Sequence, residues 1–140
     1  MALIKRKLNC ILLVDDDPDD NIFHQIIIEE MQITNTISIA LNGLEALSYL
    51  KEESQVPPEL IFLDLNMPKM NGWEFLEQYK NLDVRQKARV LIVILTTSAN
   101  PDHMEKARKI EEVTGFETKP LSKELLTEII QNHFQDYLNP

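Results

Sequence analysis

The sequence predicts an α/β domain, a doubly wound (βα)5 parallel sheet with helices on both sides. Two observations predict it. Three runs, CILLV (10–14), LIFL (60–63) and VLIVIL (90–95), are apolar throughout instead of alternating, as strands covered on both faces are. Between them, apolar residues recur at helical spacing, so that strand and helix alternate five times along the chain. Short connections of this kind demand right-handed crossovers.

Each element has its own signal. After CILLV, Phe23, Ile26, Ile27 and Met31 mark a first helix opened by Asp17-Pro18. A weaker strand fits TISIAL (36–41), and Leu44, Leu47 and Leu50 follow behind Asn42, with Glu45 three residues on. The breaker-rich ESQVPPE (53–59) links that helix to LIFL. Phe75, Leu76, Tyr79 and Leu82 form the third helical stripe behind Asn71, where Trp73 reads as packing. After VLIVIL, Met104, Ala107 and Ile110 sit behind Asn100-Pro101. GFETK (115–119) is the fifth strand, and Leu126, Ile129, Ile130 and Phe134 the fifth helix, capped by Ser122.

At 140 residues the chain fits one domain able to bury its own core, with no second domain expected. No 18-residue apolar stretch exists to cross a bilayer, and the N-terminus lacks a small-residue cleavage site, so a cytoplasmic location is expected. Cys10, the one cysteine, stands in an apolar run and reads as a buried small side chain. The balance of 14 basic to 23 acidic residues gives a formal net charge of -9 and disfavours direct nucleic-acid binding. Lys5, Arg6 and Lys7 read as a solvated, mobile end.

In an open parallel sheet ligands sit beyond the carboxyl ends of the strands. Strand one ends in Asp15-Asp16-Asp17, strand three in Asp64, strand four in Thr96-Thr97-Ser98 and strand five in Lys119-Pro120, so these groups share one edge. Two carboxylates about 4 Å apart repel by roughly 4 kcal/mol at an effective dielectric near 20, so Asp15, Asp16 and Asp64 call for a cation. Few carboxylates, no oxygen cage and no soft ligand point to Mg²⁺, which shares its shell with phosphate. The histidines His24, His103 and His133 lie on different helices, which argues against zinc. Lys119 as a point cation and Thr96 as a neutral donor suit a phosphoryl group, with Asp64 the candidate nucleophile, needing no general base at the ordinary aspartate pKa of about 3.9. Asp17, Asp19 and Asp20, around Pro18, read as acids complementing the helix dipole.

The stretches LLVDDDP, FLDLNMPKMNG, VILTTS and GFETKP make the chain, from about Asn9 to Phe134, resemble a response-regulator receiver domain of bacterial two-component signalling. The resemblance implies the flavodoxin-like, CheY-like strand order 2-1-3-4-5. It implies phosphorylation of Asp64 by a sensor histidine kinase or a histidine phosphotransfer protein. Mg²⁺ would be held by Asp16, Asp64 and the carbonyl of Asn66, with Asp15 acting through water. Thr96, Lys119 and Phe116 would bind or sense the phosphoryl group, and Asn66 and Ser98 would tune its hydrolysis. The switch surface would be the fourth helix, fifth strand and fifth helix, which also allows a homodimer. A cis Lys119-Pro120 bond is usual for the family. The absence of an output domain implies a stand-alone receiver that signals by binding a downstream protein, not nucleic acid or membrane. The DDDPDDN and LNMPKMNGWEFL stretches are similar to regulators paired with phytochrome-type or hybrid kinases.

The segment KIEEVTGFETKP departs from the family's usual Gly-Ala-type turn. Two other readings use the same residues. A haloacid-dehalogenase-type phosphatase also has a strand-end aspartate with Mg²⁺, but needs a second aspartate two residues on, where this chain has Asn66. A receiver that is never phosphorylated would serve as a fixed scaffold.

Overall fold

Hydrogen-bonded pairing assembles the apolar runs into one parallel sheet, in a computed structural model that describes residues 3–53, 55–87, 91–97 and 100–139. Its strands are β1 (Leu8–Val14), β2 (Thr34–Ala40), β3 (Leu60–Leu63), β4 (Leu91–Thr96) and β5 (Val113–Thr118). Their spatial order is β2-β1-β3-β4-β5, as the resemblance implies. Val90, assigned to the fourth strand from sequence, lies outside the described residues.

The helices are α1 (Pro18–Met31), α2 (Gly43–Lys51), α3 (Gly72–Tyr79), α4 (Val84–Lys87), α5 (Pro101–Arg108) and α6 (Lys123–His133). The four-residue α4 and a 3-10 turn at Gln135–Tyr137 are additions to the five helices expected; both are too short to show a period. Every expected cap is present. Asp17 accepts from the Asp19 and Asp20 N–H groups, and Asn42, Asn71, Asn100 and Ser122 each accept from a first-turn amide. Asn71 and Glu74 form a reciprocal capping box. At α2 the Glu45 carboxylate reaches past Asn42 and accepts from Leu41 N–H.

Adjacent strand residues point to opposite faces, so the unbroken apolar runs feed two cores. Ile11, Leu13, Leu60 and Phe62 pack with Ile28, Leu126 and Ile130 on the α1 and α6 side. Leu12, Val14, Ile61 and Leu63 pack with Leu47, Phe75, Leu76 and Ala107 on the other. Burying each large apolar side chain stabilises the fold by about 1.5–3 kcal/mol relative to leaving it exposed.

The α1 stripe is half corrected: Ile27 and Met31 pack against the core as expected, and Phe23 and Ile26 do not. Ile22, Phe23 and Ile26 are exposed at 56%, 45% and 48%, while Asn21, His24 and Ile28 are buried. The helix turns two polar residues inward because their partners are there: Asn21 Nδ2 donates to Asp15 O at 2.9 Å, and His24 Nε2 accepts from Leu121 N–H at 3.4 Å. Leu44 and Met104, also expected inside, are exposed.

The basic N-terminal segment is held in place. Ile4 bridges Leu138, the Lys5 amide donates to Tyr137 O at 2.8 Å, and Arg6 stacks 4.4 Å above the Tyr137 ring. Cys10 is fully buried, as expected, beside Ser38 and Tyr49.

Candidate functional site

The parallel ladder delivers the polar groups to one edge. Asp15 follows β1 and donates its N–H to Ala40 O at 3.0 Å, and Asp64 follows β3 and donates to Val14 O at 2.9 Å. Oxygens of Asp15, Asp16 and Asp64 lie within 4.8 Å of one another. Asp15 and Asp64 are buried, and Asp16 is exposed. Thr96, buried at the end of β4, pairs with Thr118, and its carbonyl accepts the Lys119 N–H at 2.7 Å. The Lys119-Pro120 bond is cis.

Lys119 is inside the site, not on the surface. Its Nζ lies 2.6 Å from Asp15 Oδ2, 2.8 Å from Asp20 Oδ2 and 3.7 Å from Asp64 Oδ2, with the side chain 9% exposed. Asp20 is the residue that sequence reasoning missed. Its place in a first helical turn is sufficient reason for an acid, and no local pattern points to a lysine 99 residues away. Asp17 and Asp19 remain helix-start residues, the first as the cap.

The segment after Asp64 folds tightly back on it. Gly72 N–H donates to Leu65 O at 3.0 Å, and a Cβ at Gly72 would fall 2.5 Å from the Asp64 carbonyl oxygen. Gly43 approaches Met70 in the same way, donating to its carbonyl at 2.8 Å. Lys69 takes φ of 63° in the turn between them. The LNMPKMNG loop therefore braces the strand end, and only glycine fits at 72. Asn66 is exposed, with its backbone N–H toward the Asp64 carboxylate. Phe116, half-buried on β5, pairs with Ile94 of β4 and packs against the core beneath. Ser98 lies outside the described residues.

Electrostatics correct one expectation. Burial raises the Asp64 carboxyl to about 6, with Asp15 adding to the effect and Lys119 and the Leu65 and Asn66 amides opposing it. Asp64 still ionises below neutral pH, but it does not keep an ordinary aspartate pKa. Desolvation pulls the Lys119 ammonium down, yet hydrogen bonds to Asp15 and Asp20 and the charge of Asp64 outweigh it and hold Lys119 above the usual lysine range. Desolvation, then Lys119, lowers His24.

The donors are all carboxylate oxygens, a set that fits a hard divalent cation. The histidines are dispersed, with His24 under α1 and His103 against Trp73. No helix among the described residues is long and apolar enough to cross a membrane.

Comparison with known proteins accounts for this arrangement. Residues 11–131 match the family model of the response regulator receiver domain. The chain is 37% identical over 97 residues to response regulator Rcp1 of Synechocystis sp., covering 66% of this chain and 64% of Rcp1. It is 31% identical over 122 residues to the sensor histidine kinase CheAY of Helicobacter pylori, covering 86% of this chain and 14% of that kinase. A two-component response regulator from Cytophaga hutchinsonii superposes with a TM-score of 0.85 at 28% identity, covering 93% of this chain and 99% of that one. The Mn(2+)-bound form of Rcp1 superposes at 0.70 with 30% identity, covering 89% and 90%. Divalent-metal binding at the acidic pocket and receipt of phosphoryl groups from histidine kinases are properties of this family. The chain belongs to the response regulator receiver domain family, the phosphoacceptor modules of two-component signal transduction.

Proposed function

We propose that Asp64 is the phosphoacceptor, that Mg²⁺ is its metal, and that phosphorylation switches partner binding. One observation carries this reading: a buried carboxylate ends β3 with two further acids within 4.8 Å and a lysine Nζ 3.7 Å away. Asp16, Asp64 and the carbonyl of Asn66 would hold Mg²⁺, with Asp15 engaging it through water. When bound, the metal would neutralise phosphoryl oxygens and relieve repulsion among the acids. The Asp64 carboxylate attacks phosphorus of a phosphohistidine on a sensor kinase or phosphotransfer protein, the P–N bond breaks, and an acyl phosphate forms as the imidazole leaves. Lys119 supplies positive charge to the transferred group.

The phosphate adds roughly -1.5 to -2 charges and fresh acceptors beside Thr96 and Lys119. Thr96 would turn toward them and Phe116 would follow inward, altering the face made by α5, β5 and α6, for a downstream protein or a second copy. Asn66 and Ser98 would set the rate of hydrolysis. The protein acts catalytically only on its own phosphoryl group, in the cytoplasm. The decisive experiment is incubation with acetyl phosphate and Mg²⁺ followed by mass spectrometry. Addition of one phosphoryl group that Asp64→Asn abolishes is expected; equal labelling of that variant would overturn the assignment, and no labelling of the native chain would favour the scaffold.

A further inference from the structure

Lysine has three N–H donors and no acceptor. Two of those on Lys119 are committed, at 2.6 Å to Asp15 and 2.8 Å to Asp20, while Asp64 at 3.7 Å stands just beyond hydrogen-bond reach. The two acids that hold the ammonium are not equivalent. Asp15 belongs to the cluster of acids able to hold a cation, and Asp20 does not. Once Asp15 is engaged by a cation, Asp20 is the carboxylate left to Lys119.

The start of α1 is built to keep Asp20 there. The Asp17 cap accepts the Asp20 N–H at 3.2 Å, Asn21 N–H donates to Asp17 O at 3.1 Å, and Asn21 Nδ2 donates to Asp15 O at 2.9 Å. These bonds fix the first turn against the end of β1. The Asp20 side chain is 35% exposed, whereas Lys119 is 9% exposed.

We infer that Asp20 is a positioning residue for phosphoryl transfer: from the first turn of α1 it holds the Lys119 ammonium beside Asp64 while Asp15 is drawn to a cation, leaving the other two N–H groups for phosphoryl oxygens. The inference rests on the reading of Asp64 as phosphoacceptor.

The test measures labelling rates at saturating acetyl phosphate and Mg²⁺ for the native chain, Asp19→Ala, Asp20→Ala, Asp20→Asn, Lys119→Ala and the Asp20→Ala/Lys119→Ala double variant. Asp20→Ala should slow labelling about tenfold, the effect of losing one charge-assisted hydrogen bond, without moving the donor concentration for half-maximal rate. Asp20→Asn, which keeps an acceptor oxygen, should lie between Ala and native. Asp19→Ala removes an acid from the same turn and should match native. In the Lys119→Ala background Asp20→Ala should add nothing. A native rate for Asp20→Ala, an Asn rate below the Ala rate, or full additivity with Lys119→Ala would overturn the inference. Labelling that survives Asp64→Asn would instead overturn the phosphoacceptor reading itself.

Discussion

Two buried carboxylates stand at opposite ends of the same sheet. Glu59, just before β3, accepts from Asn9 N–H at 2.8 Å and from the Tyr137 hydroxyl. Asp64, just after β3, accepts from Leu65 N–H, and its other oxygen faces Asp15 and a lysine that is shared with two other acids. Both are less than a tenth exposed. Neutral donors satisfy Glu59, which makes it a clasp between β1 and the C-terminal turn. Burial, with like charge from Asp15 adding to it, raises Asp64 despite its amide donors and Lys119, and a cation beside it would relieve that repulsion. Burial of an acid does not identify a site; a cluster of acids around it does.

The sharpest way to break the comparison is phosphoryl labelling. Asp64→Asn should abolish it, whereas Glu59→Gln should label at the native rate, both read by mass spectrometry after acetyl phosphate and Mg²⁺. Loss of labelling in Glu59→Gln would mean that the two ends of the sheet are functionally coupled.

Stability without metal should separate the two acids by sign. Glu59→Ala removes the acceptor of the Asn9 amide and one acceptor of the Tyr137 hydroxyl and should cost about 2 kcal/mol in urea denaturation. Asp64→Asn should stabilise by a figure on the order of 2 kcal/mol at pH 7, because ionising a buried acid raised to about 6 from 3.8 opposes folding. The pH dependence follows from the same shift. The folded chain binds more protons than the unfolded one between pH 3.8 and about 6, so Asp64 makes native stability fall as pH rises through that window. The advantage of Asp64→Asn should therefore vanish below about pH 4 and be complete above about pH 6, and Mg²⁺ should erase it by restoring the native chain.

Much of this contrast is legible in the sequence, and the reason is local. Unbroken apolar runs identify β1, β3 and β4, and the acids, threonine and lysine that end strands are predicted to share one edge, since strand ends in a parallel sheet must meet. Five capping residues mark five helix starts correctly. What escapes is any choice made by a distant partner. Periodicity offers α1 two faces, and the buried one combines Ile28 with Asn21 and His24, whose partners are the Asp15 carbonyl and the Leu121 amide. Asp20 reads as a dipole residue because nothing near it mentions Lys119. Arg6 reads as a free end because Tyr137 is more than a hundred residues away in sequence.

The smallest effect compares two lysines near the start of α6. Lys123 Nζ lies 2.7 Å from Glu30 Oε2, a shorter distance than that from Lys119 to Asp20, yet its side chain and that of Glu30 are each about half exposed, 54% and 50%. Water already solvates both of those charges, so little is gained by bringing them together and side-chain entropy is lost. Lys123→Ala should change stability by about 0.5 kcal/mol or less, and raising salt should reduce even that. Labelling should be unchanged, because the pair lies away from the acids at the strand ends. Lys119, enclosed by carboxylates and 9% exposed, should retain its electrostatic influence on Asp64 at the same salt concentration. Equal salt sensitivity of the Lys119→Ala and Lys123→Ala effects would show that enclosure does not set the strength of the Lys119 contacts.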